Sequence, residues 1–113
     1  MSSPPFFIKT DSVLKRVNLD EIVLLQVSGN YTKFFFKNGK FEILRLSLDA
    51  AMKLLPKSQF IRIHRNYAVS FDYVDVVKKD TVTLIGRTDE EYPISKQNYD
   101  VFVKRVVVLE PVQ

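Results

Sequence analysis

The chain has 113 residues, of which 46% are hydrophobic and 27% charged, a composition typical of one globular domain with a single core. It contains no cysteine and one histidine, which excludes disulfides and cysteine nucleophiles and disfavours a structural zinc site. Its 17 lysines and arginines exceed its 13 aspartates and glutamates, and the net charge of +4 is compatible with an anionic partner. The composition therefore predicts a small globular protein with no metal and no cofactor.

Two features predict a cytoplasmic protein that makes no contact with a membrane. No stretch approaches the roughly 18 uninterrupted apolar residues that a membrane span requires. The N-terminus, MSSPPFFIKTD, lacks the basic lead, the long apolar segment and the cleavage site of a signal peptide. Composition along the chain predicts one domain at residues 6–109, with tails at residues 1–5 and 110–113.

The first half of the chain contains short β-prone runs separated by turn signals. Polar residues 9–12 separate the first two runs and predict a hairpin, and Asn18 is the predicted cap of one helical turn before an apolar strand. Asn38-Gly39 is the dipeptide that best tolerates the two positive φ angles of a type I′ hairpin turn. The predicted strands of this half are residues 6–8, 13–17, 22–27, 31–37 and 41–46.

The second half begins with a short amphipathic helix, for which Ser47 is the predicted cap and Pro56 the predicted end. Ser95 is the predicted cap of a last helix that runs to about Val107. Between the two helices, the pattern predicts strands at 60–63, 67–71, 74–77 and 82–85, and a polar loop at 86–91. The fold class predicted from these elements is mainly β with short α-helices.

The sequence predicts no enzyme. Nucleophilic catalysis needs a base beside the nucleophile, and the single histidine, His64, lies in no recognisable Ser-His-Asp signature. Glycine occurs only at positions 29, 39 and 86, so neither a Walker A sequence nor a GxGxxG motif is present. Catalysis and nucleotide cofactors are therefore disfavoured, and binding is the better hypothesis.

Three polar clusters lie where apolar runs end, and together they suggest a binding surface. Arginine and asparagine match guanine and adenine edges in the major groove, and the first turn of a helix favours phosphate. Each cluster also has a simpler interpretation: His64 as a hydrogen-bonded structural residue, Lys33 as a solvated charge and Ser95 as a plain helix cap. The clusters are Asn30, Tyr31, Thr32 and Lys33; His64, Arg65 and Asn66; and Ser95, Lys96 and Gln97.

The aromatic triplet Phe34-Phe35-Phe36 allows a different hypothesis, a sheet that stacks single-stranded RNA bases. In an alternating strand Phe34 and Phe36 share one face and Phe35 takes the other. Core packing therefore explains at least two of the three rings. The RNA hypothesis depends on Phe35 and predicts that Phe35→Ala abolishes binding.

The stretches IVLLQVSGNYTKFF, FIRIHRNYAVSFDYV and YPISKQNYDVF, in this order, resemble the LytTR family of bacterial DNA-binding domains. That family shows a glycine-Asn-Tyr-like turn, a central motif of phenylalanine, arginine, histidine and arginine, and a final helix that begins with serine and arginine. The resemblance extends over about residues 6–107, and its middle motif preserves order, spacing and residue type together. One departure is Lys96, which stands where the family often has arginine. A lysine cannot make the planar two-pronged contact to guanine, which disfavours base reading by the third loop.

The resemblance implies an elongated LytTR-type fold of small antiparallel sheets with a C-terminal helix, whose loops insert into successive major grooves of double-stranded DNA. It further implies direct-repeat promoter sites, a receiver domain N-terminal to this one in a two-component response regulator, and a homodimer on DNA. By position, the DNA contacts fall on the three clusters. Arg65 is the expected base contact, His64 shapes its loop, Lys33 and Lys96 serve phosphates, and Asn66 and Gln97 serve either role.

Two questions stay open from the sequence. The stretch MSSPPFF is interpreted as the end of a linker, which makes the chain an excised domain, with a stand-alone regulator as the alternative. The competing function is a protein-interaction β module that holds an acidic partner through a strand edge and its basic loops.

Overall fold

Ten strands and two α-helices make up the part of the chain that the computed structural model describes, residues 4–112. Short 3₁₀ turns cover Leu19–Glu21 and Phe71–Tyr73. The helices are α1 (Leu48–Leu54) and α2 (Lys96–Arg105). The strands are β1 (Phe6–Thr10), β2 (Val13–Val17), β3 (Ile22–Ser28), β4 (Tyr31–Phe36), β5 (Phe41–Leu44), β6 (Phe60–His64), β7 (Tyr67–Ser70), β8 (Val74–Val77), β9 (Thr81–Leu84) and β10 (Arg87–Pro93).

The strands form three antiparallel sheets. The largest has five strands in the order β5-β4-β3-β7-β6, and we call it the central sheet. A two-stranded sheet, β1-β2, precedes it in the chain, and a three-stranded sheet, β10-β9-β8, follows it. The prediction of a mainly β fold built from small antiparallel sheets with a C-terminal helix is confirmed.

The inner strands of the central sheet are buried on both faces, because successive side chains of a strand point to opposite faces and those of β3 are apolar on both. On one face Leu25 and Phe34 pack against α1 and the first hairpin. On the other face Leu24 and Val69 pack against the three-stranded sheet and α2. The central sheet therefore lies between two cores.

The aromatic triplet follows the predicted alternation. Phe34 and Phe36 belong to the α1 face, whereas Phe35 packs against the opposite core. The ring centroid of Phe35 lies 5.7 Å from that of Phe41, and the Arg87 guanidinium lies 4.9 Å above the Phe35 ring. Phe35 is half-buried, and the Phe41 ring and the Arg87 guanidinium lie against its ring, so packing within the protein accounts for it.

The turn at Asn38-Gly39 forms a hairpin, but its predicted type is wrong. Only Gly39 has a positive φ, +85°, whereas a type I′ turn needs positive φ at both residues. Gly39 donates its N–H to the Phe36 carbonyl at 2.9 Å, and Phe36 donates its N–H to the Lys40 carbonyl at 2.9 Å. The loop therefore has three residues and places glycine in the left-handed position.

Residues 86–91 were predicted as a polar loop, and this prediction is wrong. Residues 87–91 form most of β10, and Gly86 lies in the turn before it. This edge strand pairs with β9 only at Arg87, Tyr92 and Pro93, with an irregularity between the first two. An edge strand with an outward face tolerates polar residues, so its composition resembles that of a loop.

Both helices begin at the predicted caps. The Ser47 hydroxyl accepts the Ala50 N–H at 3.1 Å, and the Ser95 hydroxyl accepts the Asn98 N–H at 3.1 Å. Residues 1–3 of the predicted N-terminal tail and residue 113 of the predicted C-terminal tail lie outside the described residues. Within residues 4–112, neither helix has the length and apolar character needed to cross a membrane.

Candidate nucleic-acid interface

The first two polar clusters lie at the same end of the central sheet. Strand β3 runs antiparallel to β7, with Gln26 opposite Tyr67. The turn that follows β3 and the turn that precedes β7 are therefore neighbours. Val27 donates its N–H to the Asn66 carbonyl at 2.9 Å, and this bond fixes their separation.

The third cluster reaches the same end through a second backbone bond. Ser95 donates its N–H to the Ile63 carbonyl at 2.9 Å, one residue before His64. Helix α2 therefore begins beside the last residues of β6. We call the combined surface, residues 29–31, 64–66 and 95–97, the loop end of the central sheet.

The first loop is a two-residue turn that exposes Asn30 and Tyr31. Ser28 pairs with Tyr31, and Gly29 between them has φ +60°. A glycine at the first central position with positive φ fits a type II′ turn, which matches the twist of the strands. No heavy atom lies within 4 Å of a Cβ built on Gly29, so the backbone angle alone favours glycine there.

Two members of the first cluster do not face outward at this end. Thr32 is fully buried, and its hydroxyl donates to the Leu46 carbonyl at 2.6 Å. The Lys33 ammonium lies 5.2 Å from the centroid of the Phe41 ring, so the side chain extends along the sheet away from the turn. We therefore correct the sequence-based site by removing Thr32, and Lys33 needs a side-chain rotation to reach a ligand at the loop end.

The second loop is shaped by His64 and Arg62. His64 Nδ1 accepts the Asn66 N–H at 3.1 Å. Arg62 donates from Nε to the His64 carbonyl at 2.9 Å and from Nη2 to the Arg65 carbonyl at 2.5 Å. The Arg65 side chain is exposed and makes no hydrogen bond or ion pair with the described residues, so it can contact a ligand.

A row of three aromatic rings, tilted or edge-on to one another, lies beside the second loop on its core side. The His64 and Tyr67 ring centroids are 5.9 Å apart, and those of Tyr67 and Tyr92 are 5.6 Å apart. Tyr92 donates its hydroxyl to Glu90 at 2.6 Å and accepts from Arg87 Nε at 2.9 Å. Burial, with the Glu90 hydrogen bond adding to it, raises the pKa of Tyr92 to about 12.

The third loop presents Lys96 and Gln97 in the first turn of α2, and both are exposed. Ser95 is half-buried, and its hydroxyl oxygen caps the helix. A helix of this length carries partial positive charge at its N-terminus, to which the Lys96 ammonium adds. This corner of the loop end is therefore electropositive.

Two residues at this end were missed as site residues from the sequence. Arg45 is exposed one residue after β5, and because Leu44 pairs with Thr32, it lies beside Tyr31. Arg45 takes this position because of the register in which β4 pairs with β5 across the hairpin at Asn38-Gly39. Arg62 was noted for its place in the motif, but its bonds to the second loop depend on the irregular pairing between Arg62 and His64, which no pattern shows.

The polar and basic side chains at the loop end are of the types that contact the phosphates and base edges of nucleic acids. The family model described as "LytTr DNA-binding domain" matches residues 12–106 of the chain. Because this match covers most of its length, the chain belongs to the LytTR family and is a DNA-binding domain.

Two known proteins show the extent of the similarity. The chain is 31% identical over 96 residues to the heme-containing CO-sensing transcriptional regulator RcoM 2 of Paraburkholderia xenovorans (strain LB400), a match that covers 81% of this chain. It spans only 35% of the length of that relative. The solved LytTr DNA-binding domain of a putative methyl-accepting/DNA response regulator from Bacillus cereus has the same fold, with a TM-score of 0.73, 21% identity, and coverage of 92% of this chain and 97% of that one.

Proposed function

We propose that the domain binds promoter DNA sequence-specifically, with the loop end inserted into successive major grooves of a direct-repeat site. The observation that carries the proposal is the pair of backbone bonds, Val27 to Asn66 and Ser95 to Ile63, that joins the three loops. Loops held at fixed spacing meet the grooves of a duplex without being ordered on binding, which lowers the entropic cost of association.

The exposed cations divide into one base reader and several phosphate contacts. Arg65 reads guanine, because its guanidinium donates in parallel to O6 and N7, a contact worth about 1–3 kcal/mol of discrimination. Lys96 and Arg45 contact phosphates, and Lys33 does so after its side chain rotates away from the Phe41 ring. These contacts position the domain and make its affinity depend on salt. Asn30, Tyr31, Asn66 and Gln97 supply further hydrogen bonds, and Ser95 holds the start of α2.

In the full-length protein, we propose that this domain is the output module of a cytoplasmic response regulator and that it acts without a catalytic step. A phosphorylated receiver domain N-terminal to it controls occupancy of the promoter. Two copies bind the two repeats as a homodimer on DNA. The similarity to a transcriptional regulator of which this chain spans about a third supports a larger protein with a separate sensing part.

Selection of bound duplexes from a random DNA pool tests the proposal. The selected duplex is then compared with its scrambled version at two salt concentrations. We expect a repeated motif, and we expect part of the preference to survive the higher salt because base contacts release few counterions. If no motif emerges and all binding disappears as salt rises, the proposal fails and the interaction with an acidic protein partner becomes the better account.

A further inference from the structure

The strongest unassigned arrangement in the structure is the set of bonds made by Arg62. Its guanidinium donates to the carbonyls of His64 and Arg65, and Nη1 forms an ion pair with Asp49 in the first turn of α1. Arg62 lies on the α1 face of the central sheet, opposite Ala68. The side chain therefore connects the second loop to helix α1.

These bonds fix the backbone on both sides of Arg65. The His64 carbonyl belongs to the peptide plane before Arg65, and the Arg65 carbonyl belongs to the plane after it. The plane after Arg65 is held a second time by the bond from the Asn66 N–H to His64 Nδ1. With both planes held, φ and ψ of Arg65 are restrained, and so is the direction in which its side chain leaves the loop.

Asp49 keeps the Arg62 guanidinium in place. The side chain of Asp49 is 78% exposed, and the hydrogen bond and charge of Arg62 hold the pKa of its carboxyl below the usual value of 3.8. The carboxylate is thus charged at neutral pH. It accepts a hydrogen bond from Nη1, the one guanidinium nitrogen that does not donate to the loop backbone, so all three nitrogens of Arg62 have acceptors.

We propose that Arg62, held by Asp49, is a positioning residue that aims Arg65 at its base. The inference rests on the proposed function, since it assigns Arg62 a part in base reading through Arg65 and no contact of its own with DNA. Lysine in place of Arg62 keeps the charge but cannot reach two carbonyls and a carboxylate at once. Charge alone is therefore insufficient at this position.

The first experiment measures the loop without DNA. Amide hydrogen exchange of Asn66, whose N–H donates to His64 Nδ1, is compared in the wild type, Arg62→Lys and Asp49→Asn. The matched controls are Arg16→Lys on the first hairpin and Asp72→Asn in the 3₁₀ turn after β7, at the opposite end of the sheet. We expect faster exchange of the Asn66 amide in the two test variants and in neither control, with exchange in β3 unchanged as evidence of an intact fold.

The second experiment measures discrimination between the selected duplex and its scrambled version. We expect Asp49→Asn and Arg62→Lys each to reduce the ratio of the two affinities by about tenfold. The affinity of each variant for scrambled DNA should match that of its charge-matched control, Asp72→Asn or Arg16→Lys. The double variant should lose no more than the stronger single one, because both changes release the same guanidinium.

The outcomes separate the two proposals. Unchanged exchange of the Asn66 amide overturns the positioning role whatever the DNA measurements give. Faster exchange with undiminished discrimination also overturns the positioning role, because the second loop then reads DNA without the bonds from Arg62. A wild type that prefers no duplex overturns the proposed function, and the positioning role falls with it.

Discussion

The Thr32 hydroxyl donates to the Leu46 carbonyl at 2.6 Å, and the side chain that makes this bond is fully buried. The bond ties β4 to the segment that leads into α1 and so joins the first loop to the helix that holds Asp49. Thr32 thus stabilises the loop end from within and does not face a ligand.

Thr32→Val should lower the free energy of unfolding by about 1–3 kcal/mol, because the substitution leaves a carbonyl without its donor at nearly constant volume. Urea denaturation measures the change, with Thr88→Val on the exposed face of β10 as the control. Affinity for DNA at a temperature where both proteins are folded should stay close to that of the wild type. A Thr32→Val variant as stable as the control would contradict the assigned bond.

Arg65→Ala should reduce the preference for the selected duplex over the scrambled one by about 1–3 kcal/mol, because it removes the two-pronged donor. Lys96→Ala should weaken binding to both duplexes about equally, since phosphates carry no sequence information. Fluorescence anisotropy with the two duplexes measures both effects. Equal loss of preference in the two variants would refute the division between a base reader and a phosphate contact.

Arg45→Ala should reduce the slope of log affinity against log salt by about one, as expected for the loss of one phosphate contact. The control is Arg16→Ala, since Arg16 lies on the first hairpin, with its guanidinium 5.1 Å from the centroid of the Phe7 ring. Titrations at several salt concentrations give the slopes. The same slope for Arg45→Ala and the wild type would exclude Arg45 from the interface.

The free energy of unfolding should depend on Tyr92 at alkaline pH. The unfolded chain ionises this phenol near the ordinary value of 10.0, whereas the folded protein keeps its proton up to about 12. Because the pKa of Tyr92 is raised in the folded state, the phenol contributes stability that is fully present below pH 10.0 and is lost as pH rises through about 12. The stability difference between the wild type and Tyr92→Phe should therefore shrink over this range.

Urea midpoints at about pH 9 and about pH 11.5 test this dependence, because they lie on either side of the ordinary tyrosine value. Tyr31→Phe, which changes an exposed phenol, is the control. A difference between wild type and Tyr92→Phe that stays constant between the two pH values would show that burial of the phenol does not suppress its ionisation.

Much of the fold follows from local signals in the sequence. The Ser47 and Ser95 caps, the apolar alternation of β3 and β4, and the turn residues at 38–39 each act over a few residues, so they can be identified without tertiary structure. The strand at 87–93 cannot be identified in this way, because its polar residues reflect an edge position that only sheet assembly creates.

The sequence indicates the loops of the candidate site more readily than the contacts that join them. Polar residues at strand ends indicated the three loops, whereas their assembly depends on the pairing of β3 with β7 and on the bond from Ser95 to Ile63. The burial of Thr32 was implicit in the alternation that it shares with Phe34. The proposed role of Arg62 rests on its contact with Asp49, which lies 13 residues earlier in the chain and is not visible in the sequence pattern.

The measurement that tests the account most directly is the change in backbone NMR shifts when the selected duplex is added to the labelled domain. The account predicts the largest changes at Asn30, Arg65 and Lys96, with small changes at Asn38–Lys40 at the opposite end of the central sheet. Changes concentrated at Asn38–Lys40 or on the β1-β2 hairpin would contradict the claim that the loop end is the surface that contacts DNA.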